Sequence, residues 1–215
     1  MRATVVLPTI VAILTPTFAT ADRGALTVEL GPTATWWANL SPPDGTGPGV
    51  SGSAYGGLVD LRYALSNHFE LSATGFYEAP ASYAFPNVLL PTNGQTLSGT
   101  LNATLSRWGA MAGARYVLGF TWRLHLGLEV GLSHEQSTKL DLINVSNPSV
   151  PESYGLGLSN IGRDSFLVTP LVGVEWFVAD RWSIAFVPRV ELVIGSPVQV
   201  ALVFPITVGY SWYLF

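Results

Sequence analysis

The chain has no cysteine in its 215 residues. That excludes a disulfide framework, a thiolate metal site and a cysteine nucleophile. Charge is scarce: Asp, Glu, Lys and Arg make up 11% of the residues, where about a quarter is ordinary for a soluble domain. No basic patch exists, so nucleic acid is not an expected partner. After the N-terminal segment there is no apolar run of about 20 residues, which excludes a spanning helix there. Phosphate loops and dinucleotide fingerprints are absent. The histidines, His68, His125 and His134, are too scattered for a metal constellation. Asp141 and Asp164 fall in expected loops and match no calcium loop. No cofactor is expected.

What is present is apolar. Hydrophobic residues are 48%, aromatics 12%, and the mean hydropathy is +0.37. So few charges on so apolar a chain imply that much of its surface faces lipid. Without a spanning helix, such a chain must close its sheet, because an open edge leaves backbone groups unpaired in hydrocarbon. The N-terminus reads as a cleaved signal peptide over residues 1–21. Arg2 supplies the positive charge, Val5 to Phe18 is mostly apolar, and Ala19-Thr20-Ala21 is a small-x-small cleavage site. Residues 22–215 then form one domain of about 190 residues. It carries 9 basic and 14 acidic residues once Arg2 is removed, a net charge of −5.

One pattern occurs at Tyr63–Leu71, Tyr116–Leu124 and Trp176–Ile184. An aromatic and an apolar residue precede a short turn, and apolar positions resume on a second aromatic six residues after the first. Each copy predicts a hairpin whose two aromatics lie side by side at one height. Together they predict a girdle of Tyr63, Phe69, Tyr116, Trp122, Trp176 and Trp182 at a membrane–water interface, with Phe215 joining it.

Period-two alternation gives the strands. Leu124, Leu126, Leu128 and Val130 alternate with Arg123, His125, Gly127 and Glu129, and Leu26, Val28 and Leu30 with Thr27, Glu29 and Gly31. Eight strands are predicted over 25–37, 53–65, 69–78, 106–118, 122–135, 165–178, 182–194 and 198–215. The three tight turns and both termini lie on one side, periplasmic in a barrel of this class, and the long connections 38–52, 79–105 and 136–164 lie on the other. Trp36, Trp37, Tyr55, Tyr77, Trp108 and Phe166 mark a second belt. Pro170, Pro188 and Pro205 predict local bulges. In the last strand the even positions Ile206 to Leu214 compete with Tyr213 and Phe215 for the lipid face.

With this signal, these turns, this alternation and the ending Tyr213-Leu214-Phe215, the chain resembles the small eight-stranded bacterial outer-membrane β-barrels of the OmpA/OmpX type, over about Ala25 to Phe215. The peptidoglycan-binding domain that follows the barrel in OmpA is not expected here. The resemblance implies an all-β, eight-stranded antiparallel transmembrane barrel in the outer membrane of a Gram-negative cell, with both termini periplasmic. It also implies that the assembly machinery reads the C-terminal strand. Members serve as anchors, adhesion proteins, narrow channels or, in a few cases, lipid-modifying enzymes, and fold alone does not choose among them. A soluble lipocalin-like barrel is the competing fold, with its apolar stripe inside and its charges outside.

The inward parity of the alternation assembles charges in the lumen. Pairing about Ser66, Gly119 and Ala179 sets Arg62 opposite Glu70, Arg115 opposite Arg123, and Glu175 opposite Ser183. Asp60, Arg62, Glu70, Arg115, Arg123, Glu129, Glu175, Arg189 and Glu191 are the expected ion-pair network. Eight strands leave a lumen just wide enough for side chains to fill. A structural plug is therefore favoured over a gated polar path along Asp60, Arg62, His125, Glu129, Arg189 and Glu191.

Enzyme chemistry finds little footing. His134 and Ser137 are three apart and point to opposite faces of a strand, so they make no serine–histidine pair, and no catalytic residue is assigned. His134 reads as an interfacial residue and His68 as a solvated turn residue. Phe85–Leu90 and Leu140–Val145 are apolar enough to touch lipid, lipopolysaccharide or an extracellular ligand, or to extend strands above the membrane. The expected role is structural or surface-interacting and non-enzymatic, with a narrow solute channel as the alternative and a lipid-modifying hydrolase third.

Overall fold

The computed structural model describes residues 23–43, 47–92, 95–143, 153–155, 161–195 and 197–213. The predicted signal and Phe215 lie outside them. The described chain is all strand and turn. Its elements are β1 (Ala25–Leu40), β2 (Val50–Ala64), β3 (Phe69–Thr92), β4 (Gln95–Gly119), β5 (Trp122–Ile143), β6 (Ser153–Gly155), β7 (Ile161–Ala179), β8 (Trp182–Phe186), β9 (Arg189–Ile194), β10 (Gln199–Pro205) and β11 (Thr207–Tyr213). Neighbours run antiparallel, and the sheet closes where β10 and β11 pair with β1. β8 with β9 makes one stave and β10 with β11 another, so the ring has eight strands. β6 adds a short strand on β5.

The alternation sorts the side chains. Val59, Leu61, Leu71, Leu124, Leu126, Leu128, Ile184 and Val208 point outward, while Glu29, Asp60, Arg62, Thr74, Arg115 and Glu129 are buried inside. The lipocalin-like reading required the reverse and falls. In β10 and β11, Phe204, Ile206, Val208 and Trp212 face out while Thr207 and Ser211 face in, so the even positions hold the outer face of the last stave.

Three tight turns, with Ala25 and Tyr213, lie at one end, the turn end. Their register departs from the expected one. Arg62 stands opposite Ser72, Arg115 opposite Gly127, and Glu175 opposite Ala185. Each turn therefore centres further along the chain than the apolar pattern marks. Gly119 holds the second turn at φ +107°, where a Cβ would strike the Trp122 carbonyl. The shift also changes the girdle. Aromatics of one hairpin do not sit side by side; they meet across the seams between hairpins. Phe69 lies edge-on to Tyr116 at 5.2 Å, Trp122 stacks on Trp176 at 5.3 Å, and Trp182 meets Tyr210 at 4.9 Å.

A second outward row runs Tyr77, Trp108, His134 and Asp164 in direct register, flanked by Trp36, Tyr55 and Phe166. Trp37 does not belong to it: with 2% exposure it is an inward residue, because its parity is opposite to that of Trp36. Phe69 to Tyr77 spans about 26 Å along the strand, comparable to the apolar band of a bacterial barrel, about 25 Å.

Two further expectations are corrected. The segment 79–105 is not a loop: β3 and β4 continue through it as a hairpin that rises about 50 Å beyond Tyr77 along the strand. β5 likewise runs to Ile143 and β7 begins at Ile161, so Asp141 and Asp164 lie in strands. The bulges also fall elsewhere. The ladders break at Pro188 and near Pro205, but the same register resumes on both sides, so no residue is inserted, and β7 runs unbroken through Pro170. Extra residues appear in β3 between Glu78 and Ala81 and between Phe85 and Val88, at Pro80 and Pro86. Each missing N–H is thereby taken out of the ladder.

Candidate functional site

The interior is stacked in tiers. Nearest the turns, Arg62 makes ion pairs with Glu29, with Glu70 at 3.0 Å and with Glu175 at 2.8 Å. His125 places Nε2 3.0 Å from Glu175 and Nδ1 3.9 Å from Glu70. Thr207 donates to Glu29 at 3.0 Å, and Thr27 and Ser211 bond each other at 2.9 Å. One guanidinium thus gathers three carboxylates from β1, β3 and β7 across the width of the lumen.

The middle tier is a closed square. Arg115 pairs with Asp60 and, at 2.7 Å, with Glu129. Arg189 pairs with Glu129 at 2.9 Å and with Asp60 at 3.5 Å. Ser72 and Thr74 donate to the same two carboxylates. Gly127 makes room for it, since a Cβ there would lie 2.8 Å from Arg115 Cγ. Charge balances within the square, and each carboxylate accepts several donors, the condition under which buried ions persist.

Above it, Arg107 donates through two nitrogens to Glu78, at 2.6 and 3.2 Å, and at 2.6 Å to Glu191. Thr35 donates to Glu78 at 2.8 Å. The Arg107 guanidinium also lies over the rings of Trp37 and Phe76, at 4.7 and 4.8 Å. Arg163 pairs with Glu135 at 2.8 Å. Beyond this the interior turns apolar. Trp37, Leu40, Tyr83, Phe85, Val88, Leu97, Leu101, Leu140 and Leu142 form one buried cluster inside the extended strands. Burial pushes the Tyr83 hydroxyl up to about 12.

The structure therefore brings together Asp60, Arg62, Glu70, Arg115, Glu129, Glu175, Arg189 and Glu191. It leaves Arg123 out. Arg123 makes no ion pair with a described carboxylate, and its guanidinium lies 4.3 Å over the Phe177 ring. Arg115 is opposite Gly127 rather than Arg123, so the expected arginine pair does not form. Sequence reasoning missed Glu29, Glu78 and Arg107 as partners. All three were legible from parity, because Glu29, Glu78 and Arg107 fall within the predicted strands 25–37, 69–78 and 106–118 on the same face as Thr27, Glu70 and Arg115.

Two cavities among the residues of the tiers are small. One bordered by Thr74, Met111, Arg189 and Glu191 and another bordered by Glu78, Tyr83, Arg107 and Glu135 each have a volume of about 10 Å³, roughly the size of one water. No group of three His, Asp or Glu among the described residues has a metal-binding arrangement. His134 lies on the outer face, its Nδ1 2.7 Å from Asp164 and its ring 5.4 Å from Trp108, while Ser137 is buried on the inner face. His68 places Nδ1 3.2 Å from the Val117 carbonyl and packs against Tyr116.

No family model matches the sequence, and no curated protein matches it. Solved structures do. The outer membrane protein OprG from Pseudomonas aeruginosa is similar at 12% identity and a TM-score of 0.57, over 90% of this chain and 98% of that one. Neisserial surface protein A is similar at 12% identity and a TM-score of 0.56, over 89% and 100%. Ail, the attachment invasion locus protein of Yersinia pestis, is similar at 10% identity and a TM-score of 0.53, over 88% and 99%. These are small eight-stranded outer-membrane barrels. Identities this low carry the fold and nothing finer.

Proposed function

We propose that this chain, which has the fold of the small eight-stranded outer-membrane barrels, is a closed and non-enzymatic barrel of the bacterial outer membrane. It works by presenting the hairpin β3–β4 and the end of β5 outside the cell. The turn end and both termini face the periplasm. Lipid and lipopolysaccharide surround the outward apolar face, and the assembly machinery takes up the C-terminal strand. An extracellular ligand would meet the raised strands over 79–105 and the segment 136–164.

The observation that carries this reading is the sealed lumen. The tier in which Arg62 gathers three carboxylates, the charge-balanced square, a third tier around Arg107 and an apolar plug follow one another along the axis, with two water-sized cavities among them. A conduit needs a continuous wet path, and breaking one here would strand buried charges at a cost of about 3–5 kcal/mol for each pair opened. The channel reading therefore ranks second. The hydrolase reading ranks third, since among the described residues His134 bonds Asp164 and no serine lies within hydrogen-bond reach of it.

The test has two arms. Purified full-length protein in planar bilayers is expected to give no current steps, and reproducible unitary conductance would overturn the closed reading. Lys139, the one lysine in the sequence, is exposed on β5 beyond His134. A membrane-impermeant amine reagent added to intact cells is expected to modify it, located by peptide mapping. Labelling only after outer-membrane permeabilisation would reverse the orientation.

A further inference from the structure

We propose that the cavity at the turn end of the barrel, headed by Arg123, binds a small organic oxyanion, a carboxylate or phosphate monoester carried on an apolar body. The cavity has a volume of about 450 Å³ and is lined by Phe120, Thr121, Arg123, Phe177, Val178, Ala179, Asp180 and Tyr213. That is within the size range of small-molecule sites, about 300–1,000 Å³.

Arg123 differs from the arginines that hold the tiers. Arg62, Arg107, Arg115 and Arg189 each pair with two or more carboxylates; Arg123 is only 6% exposed and pairs with no described one. Its Nε, like those of Arg62, Arg115 and Arg189, has no hydrogen-bond partner; what sets it apart is that its guanidinium rests on the Phe177 ring instead of on a carboxylate. Glu175, opposite Arg123 in the strand register, is already taken by Arg62 and His125; a desolvated cation with no carboxylate in direct contact is costly, and a planar guanidinium offers paired donors that fit a carboxylate or phosphate. The cavity supplies the missing space for one. Phe120, Val178 and Tyr213 give the body of the ligand an apolar wall. The Asp180 carboxylate in the lining opposes an anion, so it limits affinity and favours a singly charged head.

The experiment uses the full chain in non-ionic detergent, titrated with 3-phenylpropionate and phenyl phosphate by calorimetry. Inorganic phosphate and 3-phenylpropanol serve as the head alone and the body alone. At least one aryl anion is expected to saturate with a dissociation constant near or below about 1 mM. Which one binds tighter separates a carboxylate source from a phosphate source. Arg123→Met is expected to weaken binding by about tenfold or more, the loss of one charge-assisted contact, and Asp180→Asn to tighten it by about two- to threefold through removal of a like charge. Heat-modifiable migration checks that each variant is folded, and Asp180→Asn tests the site should Arg123→Met fail to fold. Equal binding of 3-phenylpropanol, unchanged binding in Arg123→Met, or no binding by any probe would overturn the proposal. So would binding seen only after removal of residues 214–215, which would assign the cavity to the chain's own terminal carboxylate.

Discussion

The two ends of the interior solve one filling problem in opposite ways. Toward the turns, the lumen is packed with guanidinium–carboxylate tiers built from Arg62, Arg115 and Arg189. Toward the loops, between the raised strands, it is packed with Phe85, Leu97, Leu101 and Leu142. The lower segment is surrounded by lipid, so apolar side chains there would have no reason to prefer the inside; hydrocarbon outside is as good a solvent as hydrocarbon inside. Charges do have a reason, since only the lumen offers partners. Beyond the second aromatic row the surroundings are aqueous by this reading, and the ordinary hydrophobic effect again selects an apolar core. The crossover falls at Arg107, which bonds two carboxylates with its nitrogens while lying over Trp37 and Phe76.

That comparison can be broken by substitution, read as urea-dependent unfolding in detergent or lipid. The largest loss is expected for Arg62→Met, which strands Glu29, Glu70 and Glu175 together. A buried pair opened on one side costs about 3–5 kcal/mol, and three acids place this at the upper end. A loss below 1 kcal/mol would mean that water already reaches the tier. Leu101→Ala is expected to cost about 3 kcal/mol, the transfer and cavity cost of a fully buried leucine. Were the upper core loosely packed, the loss would fall nearer the transfer cost alone. The smallest effect is expected for the whole upper triad replaced at once, Arg107→Met with Glu78→Leu and Glu191→Leu. An ion cluster exchanged for apolar groups of similar volume is near neutral or gains about 1–4 kcal/mol, whereas Arg107→Met alone should lose about 3–5 kcal/mol. Equal losses for the triple and single variants would show that the crossover tier fixes strand geometry beyond its own charges.

Much of the fold was legible because lipid makes the signal simple. With water absent outside, strand parity alone separates Leu124, Leu126 and Leu128 from Arg123, His125 and Glu129. The eight strands and the common end of the three turns followed from that. The register did not. Apolar spacing around a turn is compatible with several centres, and hydrogen bonds such as Leu65 N–H to the Phe69 carbonyl choose among them. Arg123 was placed in the network because its parity was right. It fell outside although it stands opposite Glu175 in the β5–β7 register, because parity and register place a residue and not its side-chain partner: Arg62 and His125 take Glu175, and the Arg123 guanidinium turns over the Phe177 ring.

The raised hairpin shows the same limit from another side. Past Tyr77 the sequence loses clean alternation, with Pro80 and Pro86 each forcing an extra residue into β3. A proline reads locally as an interruption; only the partner strand, which continues to pair on either side of it, shows that the strand goes on. By itself the sequence determined the closed sheet, the inward charges and the outward apolar face, since each follows from residue chemistry against hydrocarbon. Tertiary structure alone decided which carboxylate meets which guanidinium, where charge gives way to apolar packing, and that Arg123 stands apart. Those depend on register and stagger around a closed ring, which no single strand encodes.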